Sequence, residues 1–268
     1  MSADSGPADA SKAAEGKHDS TDILPVTGIP RIGLPTRALV VGDPFRAERI
    51  SLQLSDVVEV AHKREYRTFS GRWKGANVVV SSHGVGGAGA MCQFQELMDA
   101  GVDTIIRLGT AGSLAAGIAD GDLVVADSCI RDDGVTHQLM PESYPASSTA
   151  EVVLALMASA REHAAPHHRG VVWTRAALYP GVLDLGLPGY VKLGVLAIEM
   201  ELSALLVLAS TRGVRAGGAL VIDGAAADEL VDTTGYDPHR SVVAEGVARA
   251  VAITLDALVT LPPVASAS

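Results

Sequence analysis

With 268 residues, 48% of them hydrophobic and 19% charged, the chain can bury one large core at the upper end of single-domain size. Its formal net charge of -10 excludes the basic face that a nucleic-acid binder needs, so any phosphate is handled by a few placed residues. Two cysteines, Cys92 and Cys129, both in apolar stretches, exclude a disulfide framework and fit a reducing compartment.

Residues 1–22 are rich in Ser, Ala, Asp, Gly and Lys and lack an apolar signal-peptide core, which predicts a disordered tail ahead of one domain at 23–262. Residues 263–268 are expected to form a short C-terminal tail. Gly or a charge interrupts every apolar run before about 18 residues, so no membrane contact is expected and the protein is placed in the cytoplasm. In chain order, a strand at 37–41 (RALVV) leads into a helix at 44–53, and a strand at 77–82 (NVVVSS) into a helix at 87–101. Strands at 103–108 (DTIIRL) and 122–127 (DLVVAD) precede a helix at 148–164; a strand at 170–174 (GVVWT) precedes one at 200–213. A strand at 216–223 (AGGALVID) precedes a helix with a 3.6-residue apolar period at 241–258. Such alternation predicts a single-domain, three-layer α/β/α sandwich around a central mixed β-sheet, with ligands at the carboxyl ends of the strands.

Two of those strand ends have the chemistry of an anion site. The first strand runs into Gly42-Asp43-Pro44-Phe45-Arg46, where Gly admits a ligand to the backbone, Pro44 suits a first helical turn and Arg46 projects from a helix start. A capped turn with a surface Arg reads the same residues equally well. The strand at 103–108 ends in Arg107-Leu108-Gly109-Thr110. An Arg inside so apolar a run is expensive unless it meets an anion or an internal carboxylate.

These segments, with HKREYRTF (62–69), HGVGGAGAMCQFQEL (83–97), DDGVTHQLMPESYPA (132–146), YPG (179–181) and EME (199–201), resemble the uridine phosphorylases of the nucleoside phosphorylase family, in consistent order from about residue 28 to 258. The resemblance implies a nucleoside phosphorylase-like fold, a homo-hexamer built from dimers, or at least a homodimer, and inorganic phosphate attacking the anomeric carbon of a nucleoside with no cofactor required. By position it implies that Gly42, Arg46, Arg107 and Thr110 bind phosphate and that Arg64 reaches the same phosphate from a neighbouring subunit. It places Glu201 on the ribose hydroxyls with Met200 as an apolar floor and Glu199 beside them. Read from the residues alone, two carboxylates flanking a Met at a strand end suit sugar hydroxyls, a metal being disfavoured without a His or Cys cluster, or are helix-start acids favoured by the macrodipole. Glu65 is implied as a ligand of a K+ ion at the dimer interface, although Gly89 stands where the family expects Ser.

The chain departs from the family at the base. Where uridine phosphorylases carry Gln-x-Arg after Tyr-Pro-Gly, this chain has Val182-Leu183-Asp184. Leu178, Tyr179, Val182 and Asp184 are the matching base-side positions, and Arg175 is a replacement donor to a pyrimidine. Asp223, at the end of the strand ALVID, stands one residue from where purine relatives carry the acid that protonates the leaving base. The stretch ILPVTGIP (23–30) lacks the family's His for the sugar 5′-hydroxyl, which points to a 5′-modified nucleoside. Among the histidines, His83 beside Gly84 is the one to follow. Phosphorolysis of a uridine-type nucleoside is the first reading, a purine nucleoside phosphorylase using Asp223 the second, and a non-catalytic nucleoside- or phosphate-binding protein a third of another class. Three arginines on one anion argue against simple hydrolysis.

Overall fold

β-Branched runs bounded by Gly, Asp and Pro become the strands that carry the site. The computed structural model describes residues 22–179, 181–226 and 237–264. Most of the expected N-terminal tail and the end of the expected C-terminal tail therefore lie outside the described residues. The first half holds β1 (Arg37–Val41), α1 (Pro44–Ser51), β2 (Ser55–Lys63), β3 (Tyr66–Trp73), β4 (Ala76–Ser82), α2 (Gly87–Asp99) and β5 (Thr104–Ser113). The second holds β6 (Leu123–Asp132), a 3-10 turn (Thr136–Gln138), β7 (Ala146–Ser147), α3 (Ala150–Glu162), β8 (His167–Arg175), α4 (Leu187–Lys192), β9 (Ala197–Glu199), α5 (Leu202–Thr211), β10 (Arg215–Ala225) and α6 (Ser241–Thr260).

β1 lies between β4 and β5, parallel to both, while β4, β3 and β2 continue as an antiparallel meander. On its other side β5 pairs β10 in parallel and β9 in antiparallel. β10 also pairs β6, β6 pairs β8, and β8 pairs β9, so five strands of the mixed sheet close into a ring. That closure adds a detail to the three-layer sandwich the alternation predicts, and it is made by β9, whose three residues bridge β5 and β8.

The two faces are covered as expected. Phe94 and Leu97 of α2 pack with Leu202 and Leu205 of α5 on one face; Ile50, Leu156 and Leu255 of α1, α3 and α6 pack on the other. Buried on both faces, the parallel strands read as apolar runs, which is why the sequence locates them. The β2–β3 hairpin was not legible. β2 leaves most residues exposed, and its turn uses Arg64 at φ 56° rather than the Gly or Asn that marks such turns. Away from the sheet ends, the Asp256 carboxylate of α6 accepts Trp73 Nε1 at 2.7 Å, Lys74 Nζ at 2.6 Å and His163 Nε2 at 2.9 Å, joining α6 to the β3–β4 turn and to α3.

Candidate functional site

A cavity of about 800 Å3 opens where the carboxyl ends of β1, β4, β8, β9 and β10 gather around the middle of β5. Gly42, Arg46, Arg107, Thr110, Glu65, Arg175, Leu178, Tyr179, Glu199, Met200, Glu201 and Asp223 line it; Arg64, Val182 and Asp184 do not.

At the β1–α1 junction both readings of the motif hold together. Asp43 is the helix N-cap, accepting the Phe45 amide at 2.9 Å, and Pro44 occupies the first turn. The same cap points half-buried Arg46 at the cavity. Burial lowers the Arg46 pKa, Asp43 opposes that, and Arg107 adds to it, so two guanidinium groups lie in each other's field. An anion between them would relieve the repulsion.

Arg107 leaves the middle of β5 only 4% exposed. Its Nη2 donates to Glu201 Oε2, and its Nη1 stands 3.1 Å from Glu199 Oε2, too poorly aligned for a hydrogen bond. Nε and Nη1 are thus buried donors without a hydrogen-bond partner among the described residues, although Nη1 is ion-paired with Glu199. Burial works against the charge, but Glu201 and Glu199 outweigh it and the pKa rises. The guanidinium folds back over its own strand, and Gly109 makes room: a Cβ there would lie 2.3 Å from Nη1.

β9 runs antiparallel to β5 with Ile198 opposite Gly112, so the chain leaving β9 travels back toward Arg107. This brings Glu199-Met200-Glu201 to the arginine. Glu201 Oε1 accepts the Gly86 amide at 2.5 Å, at the start of α2. Glu199 turns the other way, its Oε2 accepting the amides of Glu201 (2.8 Å) and Leu202 (2.9 Å), and so it caps α5. Its Oε1 accepts the Thr174 hydroxyl, whose oxygen accepts the Ser203 amide at 3.0 Å. Burial raises the Glu199 pKa, Arg107 counters it, and Glu201 adds to it. The helix-start reading of these acids describes Glu199; Glu201 stands between a second helix start and the arginine. Neither the Gly86 amide nor Thr174 was read from the sequence, because no motif marks a Thr in a buried strand.

His83 is fully buried behind the β1 loop and is not part of the cavity wall. Its Nδ1 lies 2.8 Å from the Gly84 carbonyl, its ring meets Phe94 edge-on, and Nε2 has no partner among the described residues. Burial, with Arg107 next, holds its pKa well below the usual range, so the ring is neutral.

At the hairpin turn Arg64 is exposed, while Glu65 lines the cavity. Glu65 packs against Gly84, where a Cβ would come within 2.7 Å of its Cγ and where φ is 74°. Glu65 Oε1 would lie 3.6 Å from a Cβ at Gly89, so the two implied cation positions are neighbours. Among the described residues no group of three or more His, Cys, Asp or Glu side chains is disposed to hold a metal ion, and no helix is long and apolar enough to cross a membrane.

On the base side, Arg175 is buried and donates through Nη1 to the Ala177 carbonyl; Leu178 and Tyr179 form an exposed rim. Val182 is fully exposed, and Asp184 accepts the Gly186 amide at 2.9 Å within its own turn. Asp223 is 3% exposed and lines the cavity. β10 pairs Ile222 with Ala111 and Gly224 with Gly112, which makes Asp223 the extra residue of a β-bulge. A bulge re-aims a side chain that regular pleating would place otherwise. Arg240 Nη2 holds the Asp223 carbonyl at 2.8 Å.

Comparisons with known proteins agree on the family and divide on the base. A family model described as Phosphorylase superfamily matches residues 36–260. A purine nucleoside phosphorylase of Plasmodium vivax is 35% identical over 188 residues, covering 69% of this chain and 77% of that protein. A uridine phosphorylase of Thermococcus kodakarensis is 36% identical over 191 residues, covering 67% and 69%. Among solved structures, the purine nucleoside phosphorylase of Toxoplasma gondii in complex with immucillin-H superposes with a TM-score of 0.85 at 30% identity, over 90% of this chain and 97% of that one.

Proposed function

The chain belongs to the phosphorylase superfamily, and from that premise we propose that its cavity performs phosphorolysis of a purine nucleoside, giving free base and a pentose 1-phosphate. The observation that carries the choice of base is Asp223, a buried residue brought to the cavity wall by a bulge in β10. The sequence puts uridine first; that bulge, with no Gln or Arg in the loop after Tyr179, moves the preference to a purine.

No protein nucleophile is needed. Phosphate sits among Arg46, Arg107 and Thr110, an oxygen attacks C1′, the C1′–N9 bond breaks, and its electron pair passes into the purine ring. Asp223 supplies the hydrogen bond, and then the proton, to the ring nitrogen that gathers this charge. Glu201 holds the ribose hydroxyls over Met200, and Arg107, bonded to Glu201 through Nη2, offers Nε and Nη1 to phosphate. One guanidinium thereby fixes nucleophile and sugar relative to each other, the positioning that makes a two-substrate reaction fast.

A pyrimidine nucleoside is the second reading, favoured by Arg175, whose buried guanidinium in the wall would meet a carbonyl of uracil. Arg64, exposed outside its own cavity, would complete the phosphate site of a second copy, as a homodimer or a hexamer built as a trimer of dimers requires.

The test is a panel of inosine, guanosine, adenosine, uridine, thymidine and 5′-modified analogues, each with and without phosphate, following released base. Phosphate-dependent release from purines alone supports the reading. Release from uridine in preference to purines sinks the purine choice, and release that ignores phosphate sinks phosphorolysis.

A further inference from the structure

β8 and β9 are parallel neighbours in register at Thr174 and Glu199, and these two side chains meet through Glu199 Oε1, the oxygen that Arg107 does not face. Thr174 is fully buried, and its hydroxyl donates to Glu199 Oε1 and accepts the Ser203 amide at 3.0 Å, with the Cys129 thiol beside it. Glu199 takes the Glu201 and Leu202 amides, so the first three amides at the start of α5 end on this two-residue clamp. Glu201 and Arg107, which the proposed reaction uses, are the groups whose backbone or side chain the clamp holds.

We propose that Thr174 is a positioning residue of this site: its hydroxyl fixes the Glu199 carboxylate, and through it the Glu201 backbone and the Arg107 guanidinium. This rests on the phosphorolytic reading of the cavity. A valine at 174 has nearly the same shape but takes the hydroxyl donor from Glu199 Oε1, which keeps only the Leu202 amide at 3.1 Å, and leaves the Ser203 amide without its acceptor. Serine restores both.

The clamp also has a signature in pH. Glu199 faces Arg107 from β5, Glu201 from the start of α5, Cys129 from β6 and Thr174 from β8; Asp133, after β6, reaches the same helix start through the Ser203 hydroxyl. Burial holds the Glu199 pKa up, and the Thr174 hydrogen bond works downward against it. Removing the hydroxyl raises the pKa further, and the working carboxylate is then lost at a higher pH.

The experiment compares the parent, Thr174→Val and Thr174→Ser on the nucleoside that the parent cleaves, measuring kcat and KM for both substrates across the acidic limb, with thermal melting alongside. Thr174→Val is expected to lose about 10- to 100-fold in kcat/KM and to shift the acidic limb to higher pH, and Thr174→Ser to recover both. A valine variant that melts lower but keeps parental constants and the parental limb overturns the proposal, since the hydroxyl is then structural only. If the valine variant does not fold, Thr174→Cys, whose thiol is a weak donor, must show the same shift, and its absence counts against the proposal in the same way. A parent that releases no base with phosphate sinks the underlying reading as well.

Discussion

Arg107 and Glu201 share one buried hydrogen-bonded ion pair, and the glutamate's other oxygen is held by the Gly86 amide at 2.5 Å. The pair sits between what the proposed reaction needs on its phosphate and its sugar side, so neither residue can be altered without disturbing the other. Glu201→Gln keeps the shape and removes the charge. It is expected to lower kcat/KM about 100-fold or more, since a charge-assisted bond to the sugar and the orientation of Arg107 go together. Glu201→Ala leaves a buried guanidinium with Glu199 alone and is expected to cost about 3 kcal/mol of stability. Steady-state rates and urea unfolding read the two effects, and parental activity in Glu201→Gln would remove Glu201 from the site.

Gly109 tests where the guanidinium lies. A methyl group there would stand 2.3 Å from Arg107 Nη1, and the arginine tip, not the strand, is the part free to move. Gly109→Ala is therefore expected to fold normally and to raise KM for phosphate about 10-fold, equivalent to about 1.4 kcal/mol. An unchanged KM would mean that Arg107 holds phosphate from another position.

These residues also show where sequence reading reaches its end. β1 occupies the run read for it, and an arginine inside the apolar TIIRLGT stretch announces a buried charge seeking a partner; Arg107 has that partner in Glu201 and Glu199. Burial and charge are local properties, so a linear pattern carries them. The role of Glu199 is not local. Its partner Thr174 lies 25 residues away and reaches it only because β8 and β9 pair in one register. Asp223 likewise meets the cavity through a bulge that exists only against β5, and three-residue β9 is too short to show a period at all. Register and closure are set by packing between elements, and single-chain periodicity does not encode them.

Asp256 offers a stability test far from the cavity. Burial pushes its pKa up, but bonds from Lys74, His163 and Trp73 push harder the other way, and the net shift is downward. A carboxylate with a depressed folded pKa stabilises the protein above its unfolded pKa, about 3.9, and that contribution is lost as pH falls through the folded value. Asp256→Asn is expected to cost about 1.5–3 kcal/mol at neutral pH, with the gap to the parent narrowing below about pH 4. Urea unfolding at the two pH values measures it; a gap that stays constant would show that the ionised form is not what α6 uses to hold the β3–β4 turn.

The proposed choice of base rests on Asp223. If it hands a proton to the departing purine, Asp223→Asn keeps a hydrogen-bond donor but not a transferable proton. It should then lower kcat on inosine or guanosine about 100-fold or more with little change in KM. Asp223→Ala should lose binding as well. The two defects separate with a purine nucleoside already methylated on the accepting nitrogen: its base carries the positive charge and departs without a proton. That substrate should be cleaved by Asp223→Asn nearly as fast as by the parent. Equal loss on both substrates would mean that Asp223 shapes the cavity or balances Arg46, whose charge it favours, and the acid would have to be sought elsewhere in the wall.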